Sequence, residues 1–418
     1  MKTIKTLSVL LLGGIALNST AQIVTVKIKD ADPIVYDASK VEYIQFTDED
    51  YEDLTNLLTE QYIPDPTFRN WINEHLANNS GYYSFEDAIA YTGTIDLAEK
   101  IDLESLEGLS YFPNITGLNV QGCQKLDNAT LPHLDALTYF NCVNSSRSTF
   151  DALALFPNLE RLLIGSNNFE GSMVISSDKL KEIDCFYNPG VTSVDVSGCP
   201  NLQTLTCTNC NIQSVELGNA PIEYLYCYGN PALTSINIDN IRPILKEYTI
   251  SGTGLHDVDV SGCVSLEYLE FQDGLFYGKI DLTGCEKLET LRCQNSYVQG
   301  ELDLTTLKNL KVLYCFNNQI SGLNLAGLSK LEWVYAYNNY LDYINLEGCV
   351  SATALYLYNN YMPRIDISDC LPENLTAFDC EDNYGLTEIK VWPTFDLNNP
   401  PVGFLKPMDA KYVYEFSE

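Results

Sequence analysis

From residue 115 to about residue 391 the apolar positions recur every 20 to 23 residues, a period far longer than that of one strand or one helix. The recurring unit is L-x-x-L-x-C/L-x-x-N. Clear copies start at Leu180 (LKEIDCFYN), Leu202 (LQTLTCTNC), Ile222 (IEYLYCYGN), Leu310 (LKVLYCFNN), Leu331 (LEWVYAYNN) and Leu375 (LTAFDCEDN). Weaker copies start at Ile115, Leu137, Leu159, Leu245, Leu266, Leu288 and Ala352, which makes thirteen. The alternation within each copy predicts one short strand, with position six inward and positions three, five and seven outward. A second apolar stretch follows in each unit, such as VTSVDVSGC from Val191, LTSINI from Leu233 or ISGLNL from Ile320. It predicts a short extended return, because so short a unit leaves little room for a helix. A single unit cannot bury its own apolar face, so the core must come from stacking neighbours. Thirteen parallel strands at about 4.8 Å give a sheet about 60 Å long.

The pattern changes at both ends. Residues 22–50 alternate at Val24, Val26 and Ile28, then at Val41 and Tyr43, with Ile44 and Phe46 out of phase, around a turn at 30–33. This predicts a small β-hairpin. Within residues 51–110 the chain reads helical from Pro64 to about Ala90: Phe68, Trp71, Ile72 and His75-Leu76 sit at helical spacing behind Asp65-Pro66, which predicts a helical N-terminal cap. After Val391 the register is lost. Residues 392–418, with Trp392, Phe395, Phe404, Tyr412, Tyr414, Phe416 and four prolines, read as an irregular C-terminal cap.

The repeated L-x-x-L-x-C/L-x-x-N unit resembles the leucine-rich-repeat family. The likeness is to its bacterial secreted members with Cys in the strand and an S-x-C turn, internalin-like or BspA-like in general type. The resemblance covers roughly residues 100–391. It implies a mostly β member of the α/β solenoids: a curved, right-handed solenoid with a parallel concave sheet over residues 111–391. The segment NNSGYYSFEDA resembles a degraded EF-hand loop in the N-terminal caps of related repeat proteins. With Gly81 at the sixth position the first falls on Leu76, and Asn78, Ser80 and Asp87 are weak substitutes for the carboxylates calcium needs. No metal site is expected.

Two ladders follow from the register. Position nine is Asn at Asn167, Asn188, Asn230, Asn318, Asn339, Asn360 and Asn383, where a side-chain amide can satisfy backbone groups of the turn. Copies with Cys123, Ser145, Cys210, Thr253, Gly274 or Ser296 there are expected to have looser turns. Cys142, Cys185, Cys207, Cys227, Cys293, Cys315 and Cys380 occupy inward position six. Cys199, Cys263, Cys285, Cys349 and Cys370 form a second series at the turn before the next repeat. Fourteen cysteines would suit a disulfide framework, but their register reads better as small buried hydrophobes, and parallel Cβ vectors are poor disulfide geometry. Cys207 and Cys210 make a C-x-x-C that the register already explains.

Charge narrows the partners. The formal charge is −32, which repels phosphate backbones and anionic membranes, so nucleic acid is not expected. Residues 1–21 read as a signal peptide: Lys2 and Lys5, an apolar stretch over 7–17, then Ser19-Thr20-Ala21 before the cut at Gln22. The chain is therefore expected to be exported to the cell surface, the medium or the periplasm, and no run is long enough to span a bilayer.

No catalytic constellation is present: His75, His133 and His256 are scattered, and no H-E-x-x-H, phosphate loop or nucleophile elbow occurs. An enzyme and a cofactor are therefore not expected. The outward positions carry more information. They hold Tyr224, Tyr226 and Tyr228; Tyr314 and Phe316; Trp333, Tyr335 and Tyr337; and Tyr356 and Tyr358. In the units at Leu310, Leu331 and Ala352, seven of nine outward positions are aromatic. Aromatics can stack across strands simply to stabilise the sheet. Stability alone does not require clustering in one third of the array, so the preferred reading is a concave binding face for a protein ligand. The alternatives are a glycan platform, with Asp379, Glu381 and Glu270 as acceptors, and a structural spacer without ligand.

Overall fold

The computed structural model describes residues 23–26, 34–37, 58–76, 83–126, 130–149 and 152–417. The leader, residues 41–46 and residues 77–82 of the EF-hand-like segment lie outside the described residues. Strands Ile23–Val26 and Ile34–Asp37 pair antiparallel, Ile23 opposite Asp37, so the second strand comes earlier than the alternation at 41–46 suggested. Contacts divide the chain into two compact units, with these strands in the smaller one.

The smaller unit, described also over 58–76, 83–91 and 107–112, contains two short helices rather than a continuous helical run. Helix Pro66–His75 begins where Asp65 accepts hydrogen bonds from the N–H groups of Thr67 and Phe68, at 2.8 and 3.0 Å. It buries Phe68, Trp71 and Ile72. Helix Phe85–Ala90 starts with a capping box between Ser84 and Asp87. Phe85 packs edge-on against Tyr62 and Tyr111, while Phe112 meets Phe68 and Tyr83.

The larger unit, over 92–106 and from 113 onward, is a parallel β-solenoid with little helix. Its main sheet has fifteen strands, from Thr94–Asp96 to Phe404–Leu405, each mostly three residues long. All thirteen sequence units contribute a strand, in one unbroken parallel register, for example Leu313↔Val334↔Leu355↔Phe378. These position-four residues are fully buried. The return stretches make shorter parallel sheets, such as Gln299–Asp303, Gln319–Asn324 and Tyr343–Asn345.

Both ends of the array extend past the legible repeats. Thr94–Asp96, inside the segment read as a helical cap, is a sheet strand. Within the segment read as an irregular cap, Phe404–Leu405 and Lys411–Val413 add one rung to each side. Phe404 replaces the usual Leu and packs on Phe378, Trp392 and Phe395, so the final rung is built from rings and lacks the repeat's signature.

The asparagine ladder does what its chemistry allows. Asn360 is 1% exposed; its Nδ2 donates to Leu357 O, Tyr358 O and, one repeat back, Ala336 O, while Oδ1 accepts from Leu341 N. Four of the six copies without Asn are tied to the preceding repeat, contrary to the expectation of looser turns. Ser145, Ser296, Cys210 and Cys123 each reach a carbonyl of the preceding repeat with a hydroxyl or thiol. The residue before them keeps the left-handed conformation in every such turn with a side chain there, as at Asn144, Asn209 and Asn295. At Gly274 the Phe276 ring occupies the space a side chain would take. All fourteen cysteines are buried free thiols. The turn series donates backward, Cys199 to Ile175 O and Cys285 to Val260 O, and Cys207 and Cys227 approach to 3.4 Å between sulfurs.

Candidate functional site

The outward face of the main sheet is organised by strand spacing. Equivalent side chains on neighbouring strands stand about 4.8 Å apart, close to the thickness at which aromatic rings stack. Position five becomes a column in which Tyr314, Tyr335 and Tyr356 stack at 4.6 and 4.9 Å between ring centres, tilted by 4° and 17°. Position seven becomes a second column, Phe316, Tyr337 and Tyr358, at 4.5 and 4.4 Å. Ring faces inside each column are covered by their neighbours, so half-buried rings offer solvent mainly edges and hydroxyls. Trp333 stands in the third column between Val312 and Ala354, and is 42% exposed. Burial, then neighbouring phenols, raise the Tyr335 and Tyr337 hydroxyls above the ordinary phenol range, so both remain protonated donors near neutral pH.

The structure brings together seven of the ten residues singled out from the sequence: Tyr314, Phe316, Trp333, Tyr335, Tyr337, Tyr356 and Tyr358. Tyr224, Tyr226 and Tyr228 lie on the same face four strands away, about 19 Å at the ordinary strand spacing. Asp379 continues the position-five column beyond Tyr356, and burial raises its carboxyl above the usual range.

Between the two aromatic groups lies a polar island that the sequence pattern did not reveal. Tyr226 donates to Glu247 at 2.7 Å. Glu270 accepts from Tyr268, Ser251 and Gln272. Burial and, next, the bonded carboxylates push both phenols, Tyr226 and Tyr268, well above their normal range. Arg292 follows Glu270 in the same column, with its guanidinium carbon 4.8 Å from the Tyr314 ring centre and 6.0 Å from that of Tyr268. Gln294, two residues along, donates to Gln272. An arginine at position five, between Glu270 and the run of tyrosines that begins at Tyr314, was the available signal, visible only once columns were aligned rather than units read singly.

A second, exposed ladder borders the position-seven column. Asn359, Asn338, Asn317 and Asn295 each donate to the next, and Asn295 ends on Asp273, at 2.6 to 2.8 Å. All five residues hold positive φ, a conformation that Asn and Asp tolerate better than most side chains. No group of three or more potential metal ligands converges among the described residues.

No protein-family model and no curated protein sequence matches the chain. Solved structures do. The functional domain of InlJ from Listeria monocytogenes, described as including a cysteine ladder, aligns with a TM-score of 0.55. Its identity is 22%, over 81% of this chain and 83% of that one. The internalin InlF from Listeria monocytogenes str. 4b F2365 aligns with a TM-score of 0.56 at 18% identity, over 84% of this chain and 96% of that one. The fold is the leucine-rich-repeat solenoid, as the repeat predicted.

Proposed function

We propose that this protein is an exported, non-catalytic recognition protein that binds a protein ligand on the aromatic columns of its main sheet. The observation that carries this reading is the pair of stacked columns beside exposed Trp333. Rigid, pre-stacked tyrosines present edges and hydroxyls at little entropic cost, the property that makes Tyr and Trp frequent hot spots in protein interfaces. The same stacking argues against the glycan platform, because a sugar packs on a free ring face and the internal faces are taken. Export rests on the leader; that no helix among the described residues is long and apolar enough to cross a membrane is consistent with it.

The test compares the mature chain with Trp333→Ala and Tyr335→Ala in pull-downs from a mixed protein and polysaccharide pool. A protein captured by the wild type, and at least about tenfold less by both folded variants, is the expected result. Capture unchanged in both variants refutes the assignment to this face, and capture of polysaccharide alone refutes the ligand class.

A further inference from the structure

We propose that Arg292 anchors a carboxylate of the ligand, so that the protein partner presents an acidic side chain or a free C-terminus beside an aromatic or apolar residue. This deepens the reading above and rests on it. Three of the four buried side-chain N and O atoms without a hydrogen-bond partner among the described residues lie on one patch of this face: Thr249 Oγ1, Arg292 Nε and Gln294 Oε1. Thr249 is 6% exposed and Gln294 7% exposed. Unsatisfied buried polar atoms are costly and uncommon, and a cluster of three on an outward face needs an explanation.

Arg161, Arg242 and Arg364 each hold a carboxylate. Arg292 holds none, in a chain with 56 acidic residues against 24 basic ones. Its neighbour in the column, Glu270, is occupied by Tyr268, Ser251 and Gln272, and Glu247 by Tyr226. Tyr268 and Tyr314 flank the guanidinium from the adjacent strands, and leave its in-plane N–H groups without an acceptor. A carboxylate is the complementary group for the outer edge of the guanidinium, since its two oxygens match the two parallel N–H donors of the Nη pair. The residue beside it meets the column that begins at Tyr314.

The experiment uses the whole mature chain and follows its arginine Nε–H signals by NMR, with that of Arg292 identified by its loss in Arg292→Lys. The probes are N-acetyl-tyrosine, for a C-terminal carboxylate, and N-acetyl-aspartyl-tyrosinamide, for a side-chain carboxylate. N-acetyl-tyrosinamide and N-acetyl-asparaginyl-tyrosinamide are their uncharged controls, and glucuronate represents an acidic sugar. At least one acid is expected to shift Arg292 with about tenfold or greater advantage over its amide, and the better acid identifies the source of the carboxylate. Arg292→Gln, folded by circular dichroism, should erase that advantage, and Arg292→Lys should keep part of it. Equal response to acids and amides, no response at Arg292, or tighter binding of glucuronate than of either peptide overturns the proposal. A carboxylate preference at Arg292 together with pull-downs that capture no protein would end the protein-ligand reading and leave the anion subsite standing.

Discussion

Replacing Asn360 by Ala tests whether the solenoid is held together between repeats by side-chain amides. Asn360 is 1% exposed, and its contacts allow a group-by-group account. Leu341 N–H donates to Asn360 Oδ1, so the substitution orphans a buried donor, at about 1–3 kcal/mol. Ala336 O and Leu357 O keep a second amide, from Asn339 and Asn383, so each loses one of two bonds, roughly 0.5 kcal/mol apiece. The total is about 3 kcal/mol, and much of it sits at the interface between neighbouring repeats rather than within one. The damage should therefore weaken coupling between repeats as well as lower stability. Urea unfolding followed by far-ultraviolet circular dichroism and tryptophan fluorescence is expected to show an earlier midpoint and a shallower or split transition. Asn360→Asp keeps the shape and the acceptor but loses the donors and places a carboxylate beside carbonyl oxygens. It should be worse than Ala at neutral pH, with relief below about pH 4, where the carboxyl is protonated in the unfolded chain too. A loss under about 0.5 kcal/mol for Ala, or Asp tolerated better than Ala at pH 7, would refute the ladder account.

Two further outcomes follow from the same architecture. Burial pushes the Cys142 and Cys293 thiols up to about 12, and all fourteen thiols are buried, so Ellman's reagent should label none in the native chain and all in urea; one fast-reacting thiol at neutral pH contradicts this. In the return stretches the side chains of Ser197, Ser261 and Thr283, and the Thr305 N–H, hold Asp195, Asp259, Asp281 and Asp303 low; for Asp281, at about 2, Lys279 is the larger cause. A carboxyl depressed by folding contributes stability above its unfolded value, near about 4, and loses it as pH falls through the folded value. Stability to urea should therefore decline between about pH 4 and about pH 2, and Asp259→Asn with Asp281→Asn should flatten that decline; an unchanged slope refutes it.

Repetition is why so much of the fold is legible. Leu313, Val334 and Leu355 occupy the same register position, and a signal repeated thirteen times fixes strand, return and burial without any long-range information. The ends were less readable because Thr94–Asp96 and Phe404 join the sheet without the repeat's Leu-Asn signature, on contacts from distant residues. The turns lacking Asn were misjudged for a related reason: a Ser or Cys looks weaker than Asn in isolation, and only the stack shows the preceding carbonyl within its reach.

The candidate site divides in the same way. Sequence alone determined which side chains face outward and that aromatics crowd the units at Leu310, Leu331 and Ala352, because both depend on local alternation. Only the tertiary structure decided that these rings stack into two columns, that Tyr224, Tyr226 and Tyr228 stand apart, and that Glu270 turns to Tyr268, Ser251 and Gln272 and leaves Arg292 unpaired. The ring stacks and the Ser251 bond to Glu270 join residues about 20 positions apart along the chain, and they exist only where strand spacing brings one repeat against the next; the bonds from Tyr268 and Gln272 are local but depend on which way the Glu270 side chain turns.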